Sequence, residues 1–85
     1  MKEIRILGLH VTNRVSDAVI IQDILTKFGC SIKTRLGLHE VDEKKCSSCG
    51  IILLELTGEE VECDKLESEL RKVKGLDIQK MTFVE

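Results

Sequence analysis

The chain contains no proline, tryptophan or tyrosine, and its aromatic content is two phenylalanines, Phe28 and Phe83. Without proline or a Gly/Ser-rich tract, nothing in it reads as an interdomain linker or a low-complexity segment. Neither sign of charge dominates: 13 basic and 15 acidic residues leave a formal net charge of −2. Basic and acidic residues are interleaved and neither phenylalanine stands beside a basic cluster, which argues against nucleic-acid binding by this chain alone. No apolar run approaches transmembrane length, and the opening Met-Lys-Glu leads into an apolar strand with no signal-peptide h-region. The expectation is a cytosolic protein without membrane association.

What is present is a globular composition of 85 residues, 42 % hydrophobic and 33 % charged. That length is too short for two ordinary domains, so one domain over residues 1–85 is expected. Ordinary stability for such a chain is only about 4–13 kcal/mol. A second chain covering an apolar face would therefore contribute materially.

From Glu3 to Thr12 the sequence is β-rich and apolar on both faces, with Ile4, Ile6 and Gly8 alternating against Leu7, Leu9 and Val11. Such a strand calls for burial on both sides. Asn13 is a plausible N-cap, and Ala18, Ile21, Leu25 and Phe28 recur at helical spacing over 15–28, with Gly29 as the stop. Ser31 to His39 reads as an edge strand in which Ile32, Leu36 and Leu38 oppose Lys33, Arg35 and His39. The polar stretch 40–49 separates it from the apolar run Ile51 to Leu56, a second central strand joined by a hairpin. Thr57 and Glu60 have capping-box spacing, and Cys63, Leu66, Leu70 and Val73 form the apolar stripe of a helix ending at Gly75. Acids at its start and Arg71, Lys72 and Lys74 at its end complement the helix dipole. Leu76 to Val84 reads as a second edge strand.

Strand-helix-strand repeated twice with right-handed crossovers predicts an α+β, ferredoxin-like βαββαβ sandwich. Its sheet is antiparallel and four-stranded, in the order 4-1-3-2, with both helices on one face. One face of the central strands, carrying either Ile4 and Ile6 or Leu7 and Leu9, is then left open, and such a patch marks an interface.

The sharpest chemical signal is Cys46-Ser47-Ser48-Cys49. Two thiolates at that spacing supply half of a tetrahedral zinc or iron site, with His39, Cys30 or a second subunit's hairpin as sources of the other half. The alternatives are a pair of reduced thiols in a polar loop and a redox switch. A thioredoxin-like role is disfavoured, because this pair precedes a strand and not a helix N-terminus. Cys63, on the apolar stripe, reads as a small core residue. No Ser/His/Asp arrangement, phosphate-cradling glycine loop or HExxH helix is present, so no enzyme is expected.

Ile6-Leu7-Gly8-Leu9-His10-Val11, Arg35-Leu36-Gly37-Leu38 and the stretch from Leu70 through Gly75-Leu76-Asp77-Ile78-Gln79-Lys80 give the chain its family likeness. It resembles the iron-only hydrogenase system regulators over nearly its whole length. The resemblance implies an ACT-like, ferredoxin-like fold, homo-oligomerisation through the sheet as a dimer or tetramer, and a regulatory role, acting through a small-molecule effector or a partner protein, with no ligand defined by the family. In ACT-like domains such molecules bind between subunits near the turn after strand one, which here holds His10 and Asn13. His10 reads as a hydrogen-bonded packing residue ahead of a ligand contact. The Cys46 and Cys49 pair departs from the family pattern, and two histidines fall short of the ligand set of nickel-responsive repressors.

Overall fold

The computed structural model describes residues 2–12, 15, 18–39 and 50–85, with Leu38 and His39 described by backbone alone. The elements are β1 (Glu3–Val11), α1 (Val19–Lys27), β2 (Ile32–His39), β3 (Gly50–Leu56), α2 (Glu60–Arg71) and β4 (Asp77–Val84). All neighbouring strands pair antiparallel in the order β2-β3-β1-β4, which is the predicted 4-1-3-2 read from the other edge. Both helices cover one sheet face, giving the ferredoxin-like fold.

The core shows which set of β1 residues faces the helices. Leu7 and Leu9 are fully buried and Val11 nearly so, together with Ile21 and Leu25 of α1, Leu54 and Leu56 of β3, and Cys63, Leu66 and Leu70 of α2. The alternate set loses this competition for a physical reason. Gly8 contributes no side chain and His10 is polar, so the even positions of β1 offer less apolar area to bury. Cys63 is buried, as its place on the stripe predicts.

Three local expectations change. The first helix begins at Val19 with Ala18 as its N-cap, not near Val15, and it gives way after Phe28 to a 3₁₀ turn over Gly29–Ser31. Cys30 is therefore an exposed turn residue, and β2 begins at Ile32, one residue after the expected Ser31. The Ser31 carbonyl accepts the Thr57 N–H at 2.8 Å, which ties this turn to the end of β3. At α2 the N-cap is Glu59, whose carbonyl accepts from the N–H groups of Glu62 and Cys63, so Thr57 and Glu60 do not form a capping box. Gly58 has φ +87°, a left-handed conformation that suits glycine and sets the tight reversal into the helix.

The third change is in β2. A bulge between Ile32 and Thr34 shifts the alternation by one face, so that Ile32 packs on the core while Leu36 does not. Leu36 pairs with Leu53 on the side away from the helices, and Arg35 pairs with the buried Leu54 on the helix side. The Arg35 guanidinium then donates to Gln22 of α1. A one-residue slip moves every later side chain to the opposite face, and here it turns an expected wet strand face into an apolar one.

Candidate functional site

The open face of the sheet is built from the residues that the helices leave uncovered. Reading across β3, β1 and β4, the register places Ile51, His10 and Asp77 in one row. Leu53, Gly8 and Gln79 form the next, followed by Glu55, Ile6 and Met81, and then by the β1–β4 pair Ile4 and Phe83. On the β2 side, Leu36 extends the second row and Thr34 the third. Strands about 4.8 Å apart with side chains recurring every 6.7 Å or so give this face dimensions of roughly 14 by 20 Å.

Its large apolar side chains are exposed: Leu36 50 %, Ile51 41 %, Leu53 37 %, Met81 53 % and Phe83 50 %. A contiguous apolar patch on that scale is the size that marks interaction surfaces on small proteins. β4 makes the point most sharply, because its two bulkiest residues, Met81 and Phe83, point away from the core. Its helix-facing position Lys80, paired with Leu7, reaches Glu67 at 3.3 Å.

Gly8 lies in the middle of this face. A Cβ there would meet Leu53 Cδ2 at 3.7 Å and the Gln79 carbonyl at 4.0 Å, which are ordinary van der Waals contacts. Among the described residues nothing demands glycine at this position.

On the opposite face, at the start of β1, sits an ionic cluster that the reading of the sequence missed. Arg5 is 6 % exposed. Its guanidinium lies 3.1 Å from Glu3, 2.9 Å from Asp64 and 3.1 Å from Glu67. Glu67, also buried, is reached in turn by Arg71 at 2.9 Å and Lys80 at 3.3 Å. Burial works to lower the Arg5 pKa, but hydrogen bonds to Glu3 and Asp64 outweigh it and the guanidinium is held firmly charged. Burial likewise works to raise the Glu67 pKa, and the hydrogen bonds from Arg71 and Lys80 overcome it, leaving the carboxyl below its ordinary value.

The parity of β1 carried the signal. Arg5 shares the face of Leu7, Leu9 and Val11, so burying those residues buries Arg5, and acids at helical spacing on α2 supply its partners.

Beside the cluster is a cleft of about 260 Å³ whose lining includes Arg5, Lys33, Glu55, Gly58, Glu60 and Cys63. Burial pushes the Cys63 thiol up, and Sγ lies 3.4 Å from the Thr57 carbonyl. A protonated, hydrogen-bonded thiol is a poor nucleophile, which fits Cys63 as a packing residue at the edge of the cleft.

The residues singled out in the sequence are spread over these features. His10 is exposed on the open face, between Ile51 of β3 and Asp77 of β4 in the register. His39 ends β2 and pairs with Gly50. Asn13, Cys46 and Cys49 lie outside the described residues. β2 ends at His39 and β3 begins at Gly50, both at the His10 end of the sheet. Among the described residues, no group of three or more His, Cys, Asp or Glu side chains is placed to hold a metal ion. No described helix is long and apolar enough to cross a membrane.

No family model matches the chain, and no curated protein matches it. Among solved structures, it is similar to the uncharacterized protein TM1266 from Thermotoga maritima, with a TM-score of 0.72 and 20 % identity over 98 % of this chain and 100 % of that one. It is also similar to a "putative antibiotic biosynthesis monooxygenase" from Deinococcus radiodurans, with a TM-score of 0.53 and 9 % identity over 99 % of this chain and 92 % of that one. At these identities the likeness shows the fold alone. The second match nevertheless corrects the expectation that the chain is no enzyme, because a fold shared with a protein so named does not exclude catalysis.

Proposed function

We propose that this protein is a small self-associating regulatory domain and that the open sheet face is its assembly surface. The observation that carries this reading is the patch of Leu36, Ile51, Leu53, Met81 and Phe83, all at least a third exposed on a protein with limited core to spare. The regulatory part comes from the resemblance to the iron-only hydrogenase system regulators. Where that regulation acts through a small-molecule effector, the resemblance assigns it to the turn after β1, beside His10 and Asn13.

Sedimentation velocity tests the assembly. A dimer or tetramer is expected at micromolar concentration, and Phe83→Asp is expected to convert it to a folded monomer. A strict monomer in the unaltered protein removes the reading. The cysteine pair is tested separately, by the metal-to-subunit ratio of protein purified without air or chelator. One zinc or iron per chain, or per two chains, assigns Cys46 and Cys49 to a metal, and none leaves them as loop thiols.

A further inference from the structure

β4 is fully paired along its backbone and barely held by its side chains. Its register against β1 runs unbroken from Glu3 opposite Val84 to His10 opposite Asp77, and the Glu85 N–H donates to the Lys2 carbonyl at 2.9 Å beyond it. Yet of its eight residues all but Ile78 are exposed. Positions 78, 80, 82 and 84 share the helix face with Leu9, Leu7, Arg5 and Glu3 of β1. Ile78 packs against the core there, and Lys80 reaches Glu67 of α2 at 3.3 Å. Thr82 is exposed and Val84 is 64 % exposed, so neither adds a hold.

The other strands are fastened more firmly. β1 buries Arg5, Leu7, Leu9 and Val11, and β3 buries Leu54 and Leu56. β2, the opposite edge, is also largely exposed beyond Ile32, but it leaves a turn tied to β3 through Ser31 and Thr57. Its Lys33 and Thr34 reach Glu55 of β3, and its Arg35 reaches Gln22 of α1.

We propose that β4 is a releasable strand, which comes away from β1 as a unit while β1, β2, β3 and both helices stay folded. Ile78 and the Lys80–Glu67 pair are its two fastenings. Release exposes backbone groups that water can hydrate, uncovers little apolar surface and returns conformational freedom to the strand. It leaves no orphaned charge in the core either, because Glu67 keeps Arg5 and Arg71. Resting on the self-association reading, the release bears on assembly. Met81 and Phe83 belong to this strand, so a chain that lets go of β4 loses two large apolar side chains from the open face, and a covered face in turn holds β4 down.

Backbone groups along β1 point alternately to β3 and to β4, so hydrogen exchange read residue by residue separates two ladders on one strand. At low protein concentration the amides joining β4 to β1 are expected to be at least ten-fold less protected than those joining β1 to β3. Their exchange should also depend little on low denaturant, because only a small surface opens. Two variants locate the opening. Ile21→Val lies in α1, which stands over the β2 side of the sheet, and is expected to speed the β1–β3 amides roughly two- to ten-fold while leaving the β4 amides unchanged. Lys80→Gln is expected to speed the β4 amides about two- to five-fold.

One common protection for both ladders, or an Ile21→Val variant that speeds both equally, overturns the release of β4. Raising the concentration into the association range is expected to slow the β4 amides in step with assembly. Assembly without that slowing overturns the coupling between β4 and the open face. A protein that stays monomeric at every concentration overturns the self-association reading, while the exchange pattern still decides whether β4 is released.

Discussion

The two faces of β1 make a controlled comparison within one strand. Leu7, Leu9 and Val11 alternate with Ile6, Gly8 and His10 on one backbone, yet the first set is buried while the second is half-covered or exposed. Helices lie on only one side, and the difference in side chains decides which. The helix face took the larger apolar area and accepted Arg5 with it, because α2 brings Asp64 and Glu67 to neutralise the buried cation. The open face kept its own apolar residues with nothing described above them. The same residue types therefore contribute to folding on one side and, in the proposed assembly, to association on the other.

The largest expected effect tests that division directly. Leu7→Ala removes a fully buried side chain and is expected to cost about 2–5 kcal/mol. Ile6→Ala, one position along and partly exposed, is expected to cost less than about 1.5 kcal/mol when measured below the association range. Chemical denaturation at low protein concentration checks both. Equal losses would mean that the two faces are equally structural and would break the comparison.

Arg5 sharpens it further, since it is the charged member of the buried face. Arg5→Met fills much of the same volume without charge and leaves Glu67 with Arg71 and Lys80. Removing one partner from a buried ion pair ordinarily costs 3–5 kcal/mol, and with two cations still reaching Glu67 a loss of about 2 kcal/mol is expected. Thermal unfolding measures it. A stabilised variant would show that the guanidinium is a burden that better packing relieves.

Acid titration of stability probes the same cluster from the carboxylate side. The Glu67 pKa in the folded chain lies below its ordinary value of 4.5, so the unfolded state binds more protons in the acid range. Its stabilising contribution is complete above that value and is lost as pH falls through the lower, folded one. Stability should therefore decline on acidification from about pH 5 downwards, and Glu67→Gln should make that decline shallower. An unchanged slope in the variant would detach Glu67 from the acid response.

How far these contrasts were legible in the sequence follows from the range of the forces involved. Element order and strand order were readable, because apolar runs and glycine punctuation are local signals and few topologies connect them. The choice of buried face on β1 was not, since both sets are apolar and the outcome depends on where α1 and α2 dock. Leu36 was misplaced for a different reason: the bulge after Ile32 is a single unpaired residue with no glycine or proline to announce it. Of the candidate site, Cys63 was read correctly from its stripe, and Arg5 was missed even though its parity with Leu7 was in view. The roles proposed for His10, Asn13, His39, Cys46 and Cys49 depend on tertiary neighbours, which sequence spacing does not supply.

The smallest effect concerns Gly8, at the centre of the open face. An added methyl would meet only ordinary contacts, from Leu53 and the Gln79 carbonyl, so the folded monomer has room for it. Glycine within a strand costs about 0.5–1 kcal/mol relative to alanine through the freedom of the unfolded chain. Gly8→Ala is therefore expected to raise monomer stability by up to that amount, measured by denaturation at low concentration. The same methyl stands in the middle of the open face, and in the proposed assembly it would have to be accommodated against a second sheet. A variant that is more stable as a monomer and weaker in association would locate the requirement for glycine between chains. A variant unchanged in association would mean that the two sheets do not approach closely at Gly8, and would move the contact outward towards Leu36 and Phe83.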